Sequence, residues 1–259
     1  MKLKSKNEIS KMREAGLVLW QAHQKAKAFV QEGITTNEID NVVEHYILSQ
    51  RASPLFKGVP GTTPYPAATC ISINEEVVHG IPSNRKLLTG DIVSIDIGVK
   101  LNGWCADAAV TWPVGEISED KRTLMTVTEN ALRFAIKQLG TEPKWNAIAK
   151  KMQKYIESKG FSVVDALVGH GIGQNMWEHP QIPNYYHKRN KDFDLRQGAT
   201  LAIEPMVNAG SKEVFVKDDY WTISTVDGKP SAHFEHTIAL TENGPVVLTC
   251  GPSGEGWAM

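Results

Sequence analysis

The chain has 259 residues, 28 Lys and Arg against 29 Asp and Glu, and a formal net charge of −1. With 41% hydrophobic and 22% charged residues, this is the composition of a globular protein with a sizeable core, not of a disordered or fibrous one. The neutral balance excludes a global field that gathers nucleic acid or anionic lipid, although it says nothing about where charges cluster.

Cys70, Cys105 and Cys250 are odd in number and far apart, which argues against a disulfide framework or a CxxC zinc site. The amino terminus, MKLKSKNEISKMREAG, is basic but lacks an apolar signal core. No run approaches the ~18 apolar residues of a membrane span. These readings together predict a protein of a reducing compartment, taken here as the cytoplasm, with no membrane and no specific nucleic-acid partner. Lys2, Lys4 and Lys6 leave room for a transient ribosome contact, but a solvated helix start is the plainer reading.

In chain order, Ile9, Met12, Leu17, Leu19 and Trp20 open a helical apolar stripe that runs through Phe29 to Val30. Gly33 punctuates it, and Thr35 with Glu38 forms a capping-box pattern for a helix from Asn37 to about Gln50. A Pro/Gly-rich loop leads into strand-like text, CISINEEVVHGIP and DIVSIDIGVKLNGWCADAAVTWPVG. The second half repeats this grammar. Ser118 precedes a helix over Lys121 to Leu139, and another runs from about Lys144 to Ser158. Strand-like runs follow: FSVVDALVGHGIG, ATLAIEPMVN, YWTISTVDGKP and SAHFEHTIALTENGPVVLT. Two helices followed by strands, twice over, predict an internally duplicated α+β domain, with halves at about 1–115 and 116–250.

Asn102-Gly103 between alternating runs signals a two-residue hairpin. That turn pairs Leu101 with Trp104, and counting back sets Asp96 opposite Ala109 and Asp107 opposite Gly98. Asp96 and Asp107 are then diagonal neighbours on one face of an apolar hairpin, with backbones about 7–8 Å apart. Two carboxylates so placed repel one another and suffer desolvation, which a cation relieves. The alternative is a solvated face bearing ordinary surface charges. Glu204 in TLAIEPMV, Glu235 in HFEHTIAL and His170 in VGHGIGQN offer further ligands. Singly, each also suits a satisfied core polar residue. Together, the four carboxylates and one imidazole suit two divalent ions and water, without spacing alone proving that they converge.

The ordered set NEEVVHGIP, IDIG…ADAA, GHGIG, AIEPM and FEHTIAL resembles the type I methionine aminopeptidases, metallopeptidases of the pita-bread fold, over nearly the whole chain. The 31 positions from Glu204 to Glu235 leave no room for the helical insertion of the type II enzymes. The resemblance implies one catalytic domain over residues 1–259, monomeric, with helices outside a curved antiparallel sheet. It implies two divalent ions, Co, Mn, Fe or Zn, bridged by Asp107 and Glu235, with Asp96 completing one site and His170 and Glu204 the other. It also implies an activity: removal of the initiator methionine from peptides and nascent polypeptides by water activated between the ions. Glu204 would accept that water's proton, and His79 in VVHGIP would hydrogen-bond the substrate amide. Tyr65, Cys70 and Trp221 match positions lining the methionine pocket.

The sequence departs from the family in three places. The loop before Cys70 carries Thr62 and Thr63 where many relatives have a histidine. Trp177 stands seven positions after His170, where relatives carry a second histidine near the scissile carbonyl; indole donates one hydrogen bond but accepts none. His179 follows two residues later and would substitute only in a rearranged loop. His233 stands where relatives often have Gln. Trp177 opens the reading of a weakened paralogue that binds peptides; another pita-bread hydrolase, such as an X-Pro aminopeptidase, is a separate alternative, against which the 259-residue length argues.

Overall fold

The computed structural model describes residues 1–256. In the first half, α1 (Lys6–Phe29) and α2 (Thr36–Ser49) precede β1 (Ser53–Pro54), β2 (Thr69–Ile73), β3 (Glu76–Val78), β4 (Ile92–Leu101) and β5 (Trp104–Pro113). In the second, α3 (Glu119–Gln138) and α4 (Trp145–Ser158) precede β6 (Ser162–Val163), β7 (Gly169–Gly171), β8 (Glu178–Ile182), β9 (Thr200–Ile203) and β10 (Met206–Asn208). The chain then forms β11 (Val214–Val216), β12 (Ile223–Thr225), β13 (Ser231–His233), β14 (His236–Thr241) and β15 (Gly244–Val247).

The helix boundaries follow local chemistry. Thr35 and Glu38 close the expected capping box at the start of α2. Ser5 and Glu8 close another at α1, a start signal that lies outside the apolar stripe read from the sequence. Leu17 and Trp20 of that stripe are only partly buried. The buried face is Met12, Ala15, Gly16, Leu19, Ala22, His23 and Ala26. Small residues serve there because α1 lies close on its neighbours: a Cβ at Gly16 would run into the Leu248 carbonyl.

Each half has its own core. One cluster joins α1 and α2 to β2, β4 and β5 through residues such as Leu19, Ile39, Ile71, Ile95 and Ala108. The other joins α3 and α4 to the later strands through Leu132, Trp145, Met152, Leu201 and Ile238. Met12, Trp104, Cys105, Ile172, Ala202 and Ala239 pack together between the two. In the second half β15, β14, β9, β7 and β8 form a five-stranded antiparallel sheet, while β4 pairs with β1, β2 and β5 in the first.

Several runs that read as continuous strands are interrupted. β9 stops at Ile203, and β10 resumes at Met206, after Glu204 and Pro205. β13 stops at His233, and β14 resumes at His236, after Phe234 and Glu235. Pro205 has no N–H for a ladder, which accounts for the first break. The breaks matter because each carries a glutamate that the sheets turn inward.

Candidate metal centre

The β4–β5 hairpin has the expected register, with Asp96 opposite Ala109 and Gly98 opposite Asp107. Its turn residues Asn102 and Gly103 lie at φ 50° and 82°, the left-handed pair that a type I′ turn requires. Asp96 and Asp107 therefore share a face, and both are enclosed there.

Glu235 reaches this face through the backbone. Its N–H donates to the Ala109 carbonyl at 2.8 Å, and Ala109 N–H returns a bond at 3.3 Å, so the break between β13 and β14 docks on β5. Thr237 fastens the next step: its hydroxyl accepts from Asp107 N–H (3.0 Å) and donates to the Asp107 carbonyl (2.8 Å). Glu204 is held through its own carbonyl, which accepts from the buried Asn184 amide at 2.9 Å. His170 lies on β7 opposite Ala202 of β9, two residues before Glu204.

The side chains converge. His170 Nε2 stands 3.8 Å from Asp107 Oδ2 and 3.7 Å from Glu204 Oε1. His170 Nδ1 lies 3.0 Å from the Gly171 carbonyl. A carbonyl only accepts, so Nδ1 carries the proton, and in the neutral ring Nε2 presents a bare lone pair to the carboxylates. Burial lowers the His170 pKa and keeps the ring neutral.

Among the described residues two groups of potential ligands emerge, Asp107–His170–Glu235 and Glu204–His233–Glu235, the ligand atoms of each lying within 4.8 Å of one another. Glu235 belongs to both. His233 is the addition: its Nε2 lies 3.9 Å from Glu204 Oε2. The sequence marked His233 only as a departure from Gln, since its place on the inner face depends on the strand break after it. Asp96 joins them from the same face of the hairpin as Asp107, lining the same cavity.

The electrostatics show what the cluster is suited to hold. Burial pushes the Asp96 pKa up to about 7. Burial, then the neighbouring Glu235 and Asp96 charges, raises Asp107 well above the carboxylate range. Glu204 and Glu235 are raised likewise, by burial and then by the other carboxylates. Asp96 Oδ1, Asp107 Oδ1, Glu235 Oε1 and His233 Nε2 are buried with no hydrogen-bond partner. Buried acceptors of this kind are costly unless something positive meets them. Divalent cations fit that requirement, and a set of carboxylates with imidazole suits Mn, Fe, Co or Zn.

The expected pocket residues also assemble. Tyr65, Cys70 and Trp221 line a cavity of about 320 Å³ with Phe56, Val59 and His79, and its floor is formed by Asp96, Asp107, Glu204 and Glu235. Cys70 sits directly opposite Asp96 across β2 and β4, which ties the apolar slot to the carboxylates. The Tyr65 hydroxyl donates towards the Thr69 and Gly80 carbonyls (3.0 and 2.9 Å), and its ring meets Trp221 edge-on at 5.2 Å. Trp221 Nε1–H donates to the carbonyl of Thr63 at 2.9 Å. Phe56 and Val59 were not singled out from the sequence, where they are two apolar residues in a loop.

His79 follows β3 in the left-handed region at φ 60°, an unusual conformation for a non-glycine residue. It lines the same cavity, and burial lowers its pKa to about 4, so the ring is neutral at pH 7. Trp177 stands on the cavity rim, 60% exposed. His179 is exposed and lines the adjoining cleft instead, so it does not take the place of the absent histidine.

The chain matches the model of metallopeptidase family M24 over residues 10–242. It is 48% identical over 246 residues to methionine aminopeptidase 1 of Bacillus subtilis, covering 95% of this chain and 98% of that one. The crystal structure of a methionine aminopeptidase from Thermotoga maritima superposes with a TM-score of 0.91 at 43% identity, covering 96% of this chain and 99% of that one. A prolidase from Pyrococcus furiosus shares the fold alone, with a TM-score of 0.76 at 23% identity over 95% of this chain and 65% of that one. The pita-bread architecture, the carboxylate cluster and these likenesses agree: the chain belongs to metallopeptidase family M24 and, within it, to the methionine aminopeptidases.

Proposed function

We propose that this chain removes the amino-terminal methionine from peptides and nascent polypeptides, as a single duplicated catalytic domain acting as a cytoplasmic monomer. Asp96, Asp107, His170, Glu204 and Glu235 would hold two divalent cations. The observation that carries this reading is the pair of ligand groups that meet at Glu235. When bound, the cations supply Lewis acidity that makes water nucleophilic near neutral pH and polarises the first peptide carbonyl.

The remaining work falls to the chain's own residues. The slot of Phe56, Tyr65, Cys70 and Trp221 takes an unbranched apolar side chain such as methionine. Its carboxylate floor favours a free α-amine beside that side chain, which selects chain ends over internal peptide bonds. His79, neutral because burial depresses its pKa, donates an N–H to the scissile amide and to the oxygen that gains charge in the transition state. Glu204 accepts a proton and passes it to the departing amine.

The test is methionine release from Met-Ala-containing and Xaa-Pro peptides after reconstitution with Mn, Fe, Co or Zn. Metal-dependent release of methionine from Met-Ala peptides is the expected result. Cleavage confined to Xaa-Pro peptides would overturn the reading.

A further inference from the structure

Lys4 does not behave as part of a solvated helix start. Its side chain is 3% exposed, and its Nζ donates to Glu178 Oε2 at 2.6 Å and to the Lys2 carbonyl at 3.0 Å. Its backbone N–H donates to the Gly198 carbonyl at 2.7 Å, pinning the amino-terminal segment to the second half of the molecule. The other oxygen of Glu178 accepts from the Gln174 and Asn175 N–H groups at 3.0 and 3.3 Å. One buried ion pair thus closes the loop that carries Trp177. Close packing enforces it: a Cβ at Gly173 would fall 2.5 Å from Glu178 Oε1 and 2.6 Å from Lys4 Cε.

The indole of Trp177 has a particular position. It lines the catalytic slot and also an adjoining open cleft, together with Val168 and His170. Met1 and Lys2 line that cleft as well. A substrate whose first side chain fills the apolar end by Phe56 and Tyr65 sends the rest of its chain away from that end. Val168, His170 and Trp177 line both cavities, so a chain leaving the slot past them enters the cleft that Met1 and Lys2 line. A 60% exposed indole there offers a face for stacking or apolar contact, which a histidine provides less well.

We propose that Met1 and Lys2 form the second wall of the substrate cleft, and that Lys4, buried beneath it, is a positioning residue which, through Glu178, sets the Trp177 indole against the third and fourth residues of the peptide. The substrates favoured are peptides of four or more residues with an apolar or aromatic side chain at those positions. This inference rests on the aminopeptidase reading for its substrate, but the placement of Trp177 by Lys4 can be read without turnover.

The experiment uses the full-length protein labelled with 5-fluorotryptophan, the Trp177 resonance being assigned by its loss in Trp177→Phe. Lys4→Met is compared with Lys4→Arg, and with Glu178→Gln, which keeps an acceptor for the loop N–H groups. In metal-free protein, Lys4→Met and Glu178→Gln should shift or broaden the Trp177 fluorine signal, and Lys4→Arg should restore it. With metal, both should raise KM about tenfold for Met-Ala-Phe-Phe, leaving kcat, and KM for Met-Ala, within about twofold. If Lys4→Met does not fold, Glu178→Gln decides by the same two readings. An unmoved fluorine signal, or an equal rise in KM for the short and long peptides, overturns the proposal. Absence of methionine release from the unaltered protein with every metal overturns the aminopeptidase reading instead, and the fluorine signal still decides whether Lys4 places Trp177.

Discussion

Ala109 and Glu235 exchange both of their backbone hydrogen bonds, at 2.8 and 3.3 Å, across the junction between the two halves of the chain. Ala109 also lies opposite Asp96 on β4, so its methyl group sits between two carboxylates contributed by different halves. The residue is 1% exposed, and its smallness keeps the space between those carboxylates open. Ala109→Leu should therefore fill the site and weaken metal binding by at least about 100-fold while leaving the helices intact. Glu235→Gln and Asp107→Asn should remove methionine release by a similar factor with the packing unchanged. Calorimetric metal titration with far-UV circular dichroism checks the first, and methionine release from Met-Ala peptides checks the other two; tight metal binding by Ala109→Leu would separate Ala109 from the site.

Substitution of His79 should separate catalysis from metal binding. It lines the slot but belongs to neither ligand group at Glu235. Removing one aimed donor from a transition state costs about 10²–10³ in kcat. His79→Ala should show that loss with metal affinity unchanged. Its φ of 60° adds a control, since alanine at that position is strained and Gly is not. His79→Gly should lose the same activity with less loss of thermal stability. Retention of kcat in both variants would remove His79 from the mechanism.

The hairpin was legible in the sequence because one dipeptide, Asn102-Gly103, fixes the register, and the register fixes which face Asp96 and Asp107 share. Helices α2, α3 and α4 were legible within one or two residues from caps and periodicity, since those signals are local. The convergence of His170, Glu204 and Glu235 was not readable from spacing. It depends on two strand breaks and on pairing between positions as distant as Ala109 and Glu235, and only resemblance to a family supplied it. Lys4 was misread for the same reason: its partner Glu178 lies 174 positions away, and a basic amino terminus looks solvated until that partner is known. Asn184 gave no signal at all, because a buried amide holding one carbonyl leaves no pattern in the chain.

His233 should tune which metal the protein prefers. It is 1% exposed, its Nε2 has no hydrogen-bond partner, and it stands 3.9 Å from Glu204 Oε2 within the second ligand group. Burial, and then the proximity of His79, lowers its pKa to about 3, so the ring is neutral at pH 7 and offers a lone pair. An added imidazole favours Co and Zn over Mn, which prefers oxygen. His233→Gln should weaken Co and Zn binding about tenfold relative to Mn. Equal loss for all three metals would remove His233 as a selector of metal, and no loss for any would place it outside the ligand set.

On the other face of β5, His23 sets part of the acid stability. Its Nε2 donates to the Ala108 carbonyl at 2.9 Å, and its ring lies 5.5 Å from that of Trp112. Burial lowers its pKa to about 4 from an ordinary value of 6.5; the bond to Ala108 opposes that shift without cancelling it. Between those values the unfolded chain binds a proton that the folded chain refuses, so stability rises with pH from about 4 to about 6.5 and is lost as pH falls through that window. The full contribution is about 3 kcal/mol. His23→Gln keeps an N–H for Ala108 but does not titrate, so denaturant midpoints of the two proteins should converge as pH falls from 7 to 4. A difference that stays constant across the window would show that His23 titrates alike in the folded and unfolded chains.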